Sequence, residues 1–314
     1  MNTPVIRRLL VSALGLGLVA VSSSSYADPD QSTHAGRAAV YRNLQSSSLE
    51  AVSSPEVIRS MFDRSGKPVV APTRIWKVLE HGEKVECLGC ISLVSGLLYD
   101  AQPKTREIAA WWLRRRVFGV FGPGEVYSRV IDTLADSSQT ENTRARAANA
   151  LGEFLSRAGA KHLSRAIRED ASPVVREAAV KALERMNSEG TDGALSVAMT
   201  DGDETVRLAA VRASTHVNAF RDVAALSARI GDSSAFIRRE AAAALGIMRA
   251  KDAVDGLIAL ASPEHEDDSS VRMAAIWSLG QLADPNAADV VRAALNDPDP
   301  FVRDAARAAG RRLY

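Results

Sequence analysis

An all-α solenoid of about seven stacked helix pairs is the fold that the sequence predicts, and three observations predict it. An apolar residue or threonine followed by arginine recurs along the chain at near-constant intervals. Alanine, rather than a large side chain, holds most of the apolar positions behind each arginine. Aromatic residues make up only 5% of the 314 residues, so small side chains have to fill the interior, which suits helices lying close together. With 46% hydrophobic and 25% charged residues, the balance is that of a folded globular chain.

The first residues depart from this average. Arg7 and Arg8 precede an apolar run from Leu9 to Val21, followed by serines and Ser25-Tyr26-Ala27. This is the layout of a cleavable secretory signal over residues 1–27. The run is 13 residues long, short of the roughly 20 that a membrane span needs; a retained anchor is the alternative. Cleavage before Asp28 removes two arginines and no acid, so Lys+Arg falls from 39 to 37 against 38 acidic residues. A near-neutral chain lacks the basic face that nucleic acid requires. The expectation is an exported protein, periplasmic or secreted, with no stable membrane span after cleavage and no nucleic-acid partner.

Residues 28–54, which include "QSSSLEAVSS", read as a flexible linker. Residues 55–82 read as an N-terminal helical cap containing two short helices, and residues 83–314 as the solenoid. Its repeat pairs are Thr105-Arg106, Thr143-Arg144, Val175-Arg176, Val206-Arg207, Ile237-Arg238, Val271-Arg272 and Val302-Arg303, with steps of 38, 32, 31, 31, 34 and 31 residues between arginines. Behind the arginine, Val175, Ala179, Ala182 and Leu183 keep one helical face, and so do Ile237, Ala241, Ala244 and Leu245. Asp, Ser and Pro in "DASP", "DGDE", "DSSA", "DDSS" and "DPDP" supply the helix starts. Segments such as "DAVDGLIALA" leave room for one further helix per unit. A single pair would expose its alanine face, whereas stacked pairs bury it in a continuous core.

The recurring VRxxAxxALG phrase resembles HEAT repeats of the short alanine-rich type found in phycobilin lyase-like proteins, over roughly residues 83 to 314. The resemblance implies an armadillo-type superhelix. It also implies a hydrogen-bonded Asp–Arg ladder along the turns, with Asp170 and Arg176, Asp201 and Arg207, Asp232 and Arg238, and Asp297 and Arg303 each six residues apart. Asp136 and Arg144 are eight apart, so the first full turn departs from this pattern. The resemblance does not choose an activity, because lyases, hydroxylases and scaffolds share the phrase. Deoxyhypusine hydroxylase, a metal enzyme of this repeat class, repeats a His-Glu dipeptide to hold its irons; here only His265-Glu266 occurs, so no metal and no cofactor is expected.

At the N-terminal end, Trp112 occupies the position that is alanine or serine in later units. With Trp76 and "VFGVFGPGEVY" it reads as a cap or local core. Cys87 and Cys90 form "CLGC" at the start of an expected helix, "VECLGCISLVSGLL". No histidine follows for haem, and no second pair exists for zinc. A structural disulfide, buried packing and thiol exchange remain open.

Two rows should face outward along the second helices, one and five residues after each arginine. They are mostly charged or small, but Met273 and Trp277 are both large and apolar. One reading makes this pair, with Trp111, an anchor for a protein or peptide partner, flanked by Lys181 and Arg212 for its acidic groups. In the other, Trp277 folds against the next repeat, where Ala308 leaves room. The expected function is a non-catalytic scaffold binding a protein or peptide along its inner helical face. The alternative is a lyase-like enzyme or a thiol-redox helper using the cysteine pair.

Overall fold

The computed structural model describes residues 54–81, 87–117, 124–187 and 192–313. The expected signal, the expected linker apart from Ser54, and most of "VFGVFGP" lie outside them. Among the described residues the extended pairing is one isolated bridge between Phe62 and Pro68. Helices carry the rest.

Two short helices, α1 (Pro55–Arg59) and α2 (Pro72–His81), open the described chain. Seven pairs follow. Their first members are α3 (Ile91–Gly96), α5 (Glu125–Ala135), α7 (Arg157–Glu169), α9 (Asp192–Ala198), α11 (Val223–Ser227), α13 (Val254–Leu260) and α15 (Ala288–Ala293). Their second members are α4 (Pro103–Val117), α6 (Glu141–Phe154), α8 (Pro173–Met186), α10 (Glu204–His216), α12 (Ala235–Ile247), α14 (Ser269–Leu282) and α16 (Pro300–Leu313). Each second helix packs on the next, giving an all-α solenoid.

Turn residues start these helices by occupying otherwise unpaired backbone N–H groups. Thr140 accepts from Thr143 N–H, Asp203 from Thr205 N–H, and Asp268 from the N–H groups of Ser270 and Val271. The segment "VECLGCISLVSGLL" is not the single helix expected. It is a 3₁₀ turn at Leu88–Cys90, then α3, then a 3₁₀ turn at Leu97–Tyr99. The Cys87–Cys90 disulfide closes the chain just ahead of α3, and Gly96 weakens helix propagation at its end.

Small side chains set the packing between units. The residue three after each arginine is always alanine, from Ala109 and Ala147 through Ala275 and Ala306, and all seven are buried. Serine can enter such a layer only with its hydroxyl satisfied; Ser278 Oγ donates to Ala242 O at 2.8 Å. Glycine at Gly152 and Gly280, as at Gly246, lets neighbouring helices approach closely. A Cβ at Gly152 and at Gly280 would lie 2.8 Å from the Ala182 Cα and the Ala309 Cα respectively.

Both ends of the array depart from this pattern. At the first, α2 packs on α4, and Trp112 is buried to 1% exposure there with Trp76 half-buried against the core. At the other, the position four after the arginine changes character. It is Ala110, Ala148, Val180, Val211, Ala242 and Ile276 in the first six units, all buried, but in α16 it is the exposed Arg307. A charged side chain there suits a helix face turned to water.

Candidate functional site

The repeat arginines make two kinds of contact. Arg176 donates from Nη1 to the main-chain oxygens of Asp170 (2.9 Å) and Ala171 (3.1 Å) in its own turn. Its Nε and Nη2 reach the Asp201 carboxylate of the following unit at 2.7 and 2.8 Å. Arg207 repeats both contacts, with Asp232 as its carboxylate partner, and Arg272 does so with Asp297. From Arg176 onward, the residue six before each repeat arginine therefore supplies a carbonyl to that arginine and a carboxylate to the arginine of the preceding unit. The expected same-unit hydrogen bonds of Asp170–Arg176, Asp201–Arg207, Asp232–Arg238 and Asp297–Arg303 are thus present, but through the aspartate carbonyl, while each carboxylate is given to the preceding unit. A guanidinium clamped in this way has no fork left for a carboxylate in its own turn.

Two rungs fall outside the expected set. Arg144, irregular by its spacing from Asp136, pairs bidentately with Asp170 at 2.8 Å for both bonds. Arg238 pairs with Glu266 at 2.6 and 2.8 Å. The glutamate of the lone His265-Glu266 dipeptide is thus a rung, only 4% exposed, while His265 is exposed. Among the described residues, no group of three His, Cys, Asp or Glu side chains is placed to hold a metal ion.

Burial alone would raise the carboxyl pKa values of Asp170, Asp201, Asp232 and Asp297. Hydrogen bonds from the partner arginine and from the N–H two residues ahead outweigh it, and all four end below the ordinary 3.8. The Arg238 hydrogen bond is the largest cause at Glu266 and holds it below 4.5 despite burial. A carboxyl whose folded pKa lies below its unfolded one contributes stability that is complete above the unfolded value. That contribution disappears as pH falls through the folded value. Thermal melts followed by circular dichroism should thus show a loss assignable to the ladder only below about pH 4–5. A large loss between about pH 7 and 6 would show that other groups dominate.

The second helices present one exposed face. A groove of about 270 Å3 between α6 and α8 is lined by Asn142, Arg146 and Asn149 from one and by Val174, Glu177 and Lys181 from the other. The positions two before and one and five after each arginine therefore share this surface. Lys181 is exposed but holds Glu177 at 2.6 Å, and Arg212 holds Glu240 at 3.1 Å. Both cations expected to meet a partner's acids are thus already paired within the protein. Trp111 and Met273 are half-buried against the core, and Trp277 is half-buried.

Sequence reasoning missed the most exposed apolar side chains of this face. Phe236 and Phe301, both two residues before a repeat arginine, are 61% and 62% exposed. They flank the unit of Met273 and Trp277 on either side, and Arg239 lies 5.6 Å from the centre of the Phe236 ring. A signal was present, because phenylalanine stands where Asn142, Thr205 and Ser270 stand in other units. It was hidden within segments that also carry turn chemistry.

Cys87 and Cys90 form a disulfide, with 8% and 0% of their surface exposed. Both belong to the continuous buried core, and the turn Leu88–Cys90 contacts α1.

Comparison with known proteins supplies the family. The model for HEAT repeats matches residues 92–184, 160–246, 191–267 and 223–310. No curated protein matches the sequence. Among solved structures, Escherichia coli YibA is 16% identical, with 82% of this chain and 92% of YibA covered at a TM-score of 0.53. Yeast importin-beta, Kap95p, solved with RanGDP, is 15% identical at a TM-score of 0.57. That alignment covers 86% of this chain but only 39% of Kap95p. Human deoxyhypusine hydroxylase is 20% identical, with 84% of this chain and 95% of that one covered, at a TM-score of 0.36. The family match spans most of the chain and falls on a solenoid whose arginine and alanine positions recur unit by unit, so the chain belongs to the HEAT-repeat family.

Proposed function

We propose that this chain is an exported HEAT-repeat scaffold, periplasmic or secreted, which binds a protein or peptide along the exposed face of its second helices and performs no chemistry of its own. The observation that carries this reading is the row formed by Phe236, Met273, Trp277 and Phe301. Aromatic side chains left more than 60% exposed, as Phe236 and Phe301 are, suit recognition, because they supply large contact areas with few rotatable bonds. Helices locked by the ladder and by alanine packing hold the row in place before a partner arrives, so little ordering is needed on binding. Kap95p, which binds RanGDP, uses a similar fold for association with a protein. No described helix is long and apolar enough to cross a membrane, and burial of the cysteine pair favours a structural disulfide over thiol exchange.

Photocrosslinking residues placed at positions 277 and 289 test this in intact cells. Asp289 lies on α15 and its side chain is 95% exposed, so position 289 reports the outer layer. A defined protein or peptide adduct from 277, absent from 289, is the expected result. Equal adducts from both positions, or none from 277, would remove the face containing Trp277 as the binding surface.

A further inference from the structure

We propose that Arg146 and Asn149 form a carboxylate-recognition subsite on the exposed face of the second helices, and that the polypeptide held there is acidic where it crosses α6. The inference rests on the scaffold reading above and adds the chemistry of the partner. Two hollows meet at these side chains, which stand three residues apart on one face of α6. One, of about 90 Å3, also takes in Glu153 and Arg185, and the other, of about 270 Å3, takes in Glu177 and Lys181. Arg146 lines both and is preset for a planar acid. Its Nη1 donates to Tyr99 O of the preceding unit at 2.7 Å, which fixes the guanidinium. Its Nε and Nη2 have no protein acceptor among the described residues. The ladder shows what such a fork takes: Arg176, Arg207 and Arg272 likewise hold main-chain oxygens with Nη1 and close Nε and Nη2 on a carboxylate.

The surroundings favour an acidic occupant. Two residues after the repeat arginine, where Arg146 stands, five of the seven units carry isoleucine or alanine. The other charged residue at that position, Glu240, is met twice within the protein, by Arg212 and Arg239. Arg146 is half-buried, and no acid among the described residues pairs with it. Helices α4 and α8 pack on the two sides of α6, so the neighbouring units that could supply that acid are both present. The glutamates nearby are spent on other cations: Glu177 on Lys181 and Glu153 on Arg185. A partly desolvated cation without a counter-charge carries a cost that an incoming carboxylate offsets. Asn149 is half-buried too, and its side chain has no hydrogen-bond partner among the described residues. Its amide can donate to a carboxylate oxygen or to the main chain beside it. Planar fork geometry makes arginine better suited than lysine to hold the acid.

A random peptide library displayed against the full chain, followed by fluorescence anisotropy with synthetic versions of the enriched peptides, tests the proposal. Enriched peptides should share an Asp, a Glu or a free C-terminal carboxylate. Changing that carboxylate to its amide should weaken binding to wild type about tenfold or more. Side-chain and C-terminal amides, made separately, identify which carboxylate is read. Against Arg146→Gln the amide should cost less than about twofold, and Arg146→Lys should recover only part of the discrimination. Asn149→Asp, which sets a carboxylate beside Arg146, should remove or reverse the preference for the acid and serves if Arg146→Gln does not fold. Arg168→Gln makes the same charge change at an exposed position of α7 and should keep the full penalty. Acid and amide are compared within each variant, so a change in stability alone does not imitate the effect. Peptides that bind without dependence on a carboxylate, or an amide penalty that persists in Arg146→Gln or Asn149→Asp, would overturn the subsite while leaving the scaffold intact. Failure to enrich any peptide would overturn the scaffold reading and this inference with it.

Discussion

Replacing Asp232 by alanine is expected to destabilise the protein by about 3–5 kcal/mol, because it leaves a largely buried guanidinium without its counter-charge. The Asp232 side chain is 3% exposed and that of Arg207 is 12% exposed. The carboxylate accepts from Arg207 Nε and Nη2 at 2.9 and 3.0 Å, from Arg229 Nη1 at 3.3 Å, and from Ser234 N–H at 3.0 Å. At about 2–4 °C per kcal/mol for a domain of this size, the melting temperature should fall on the order of 10 °C. Because stability in a repeat array is carried by neighbouring interfaces, hydrogen exchange should accelerate first in α10 and α12. Glu169→Ala, which breaks the surface pair Arg165–Glu169 with side chains 69% and 57% exposed, should leave the melting temperature almost unchanged, because solvent screens the pair. A paired apolar replacement, Arg207→Met with Asp232→Leu, should recover much of the loss, since it also removes the charge that has to be desolvated. If Asp232→Ala behaves like Glu169→Ala, the ladder does not hold the units together.

The direction of this ladder is what a repeating sequence conceals. Where the step between arginines is 31 residues, as in three of the six steps, an aspartate six before one arginine also follows the previous arginine by 25. Spacing alone cannot distinguish a contact within a unit from one between units. Only the stacking of successive turns decides, and it sends the carbonyl one way and the carboxylate the other. Glu266 was harder still, because its unit is 34 residues long and the acid has one more methylene. The fold itself was legible because buried alanine, apolar–arginine pairs and turn residues recur together. The exposed face was only half legible. The positions one and five after each arginine identified Met273 and Trp277, but Phe236 and Phe301 sit in the first helical turn, where helix-start residues command attention. Arg307 was legible in principle, since no other unit has a charge at that position.

Gly280→Ala should destabilise the protein by about 1–3 kcal/mol, although alanine is the better helix former by about 0.8–1 kcal/mol. Gly280 lies in the last turn of α14 (Ser269–Leu282), and α16 gives glycine a packing reason to be there. An added Cβ would stand 2.7 Å from the Ala309 Cβ and 2.8 Å from its Cα. The nearer atom can be removed but the farther one is backbone, so Ala309→Gly should rescue Gly280→Ala only in part. Gly193 supplies the opposite case: it lies in α9, and a Cβ added there would meet nothing within 4 Å. Gly193→Ala should therefore stabilise by up to about 1 kcal/mol. Urea unfolding of the two variants separates packing from propensity because their signs differ. Stabilisation by both would mean that α14 and α16 do not touch at Gly280. The distance from Trp277 to Phe301, and with it the spacing of anchors that a partner must match, would then be set by other contacts.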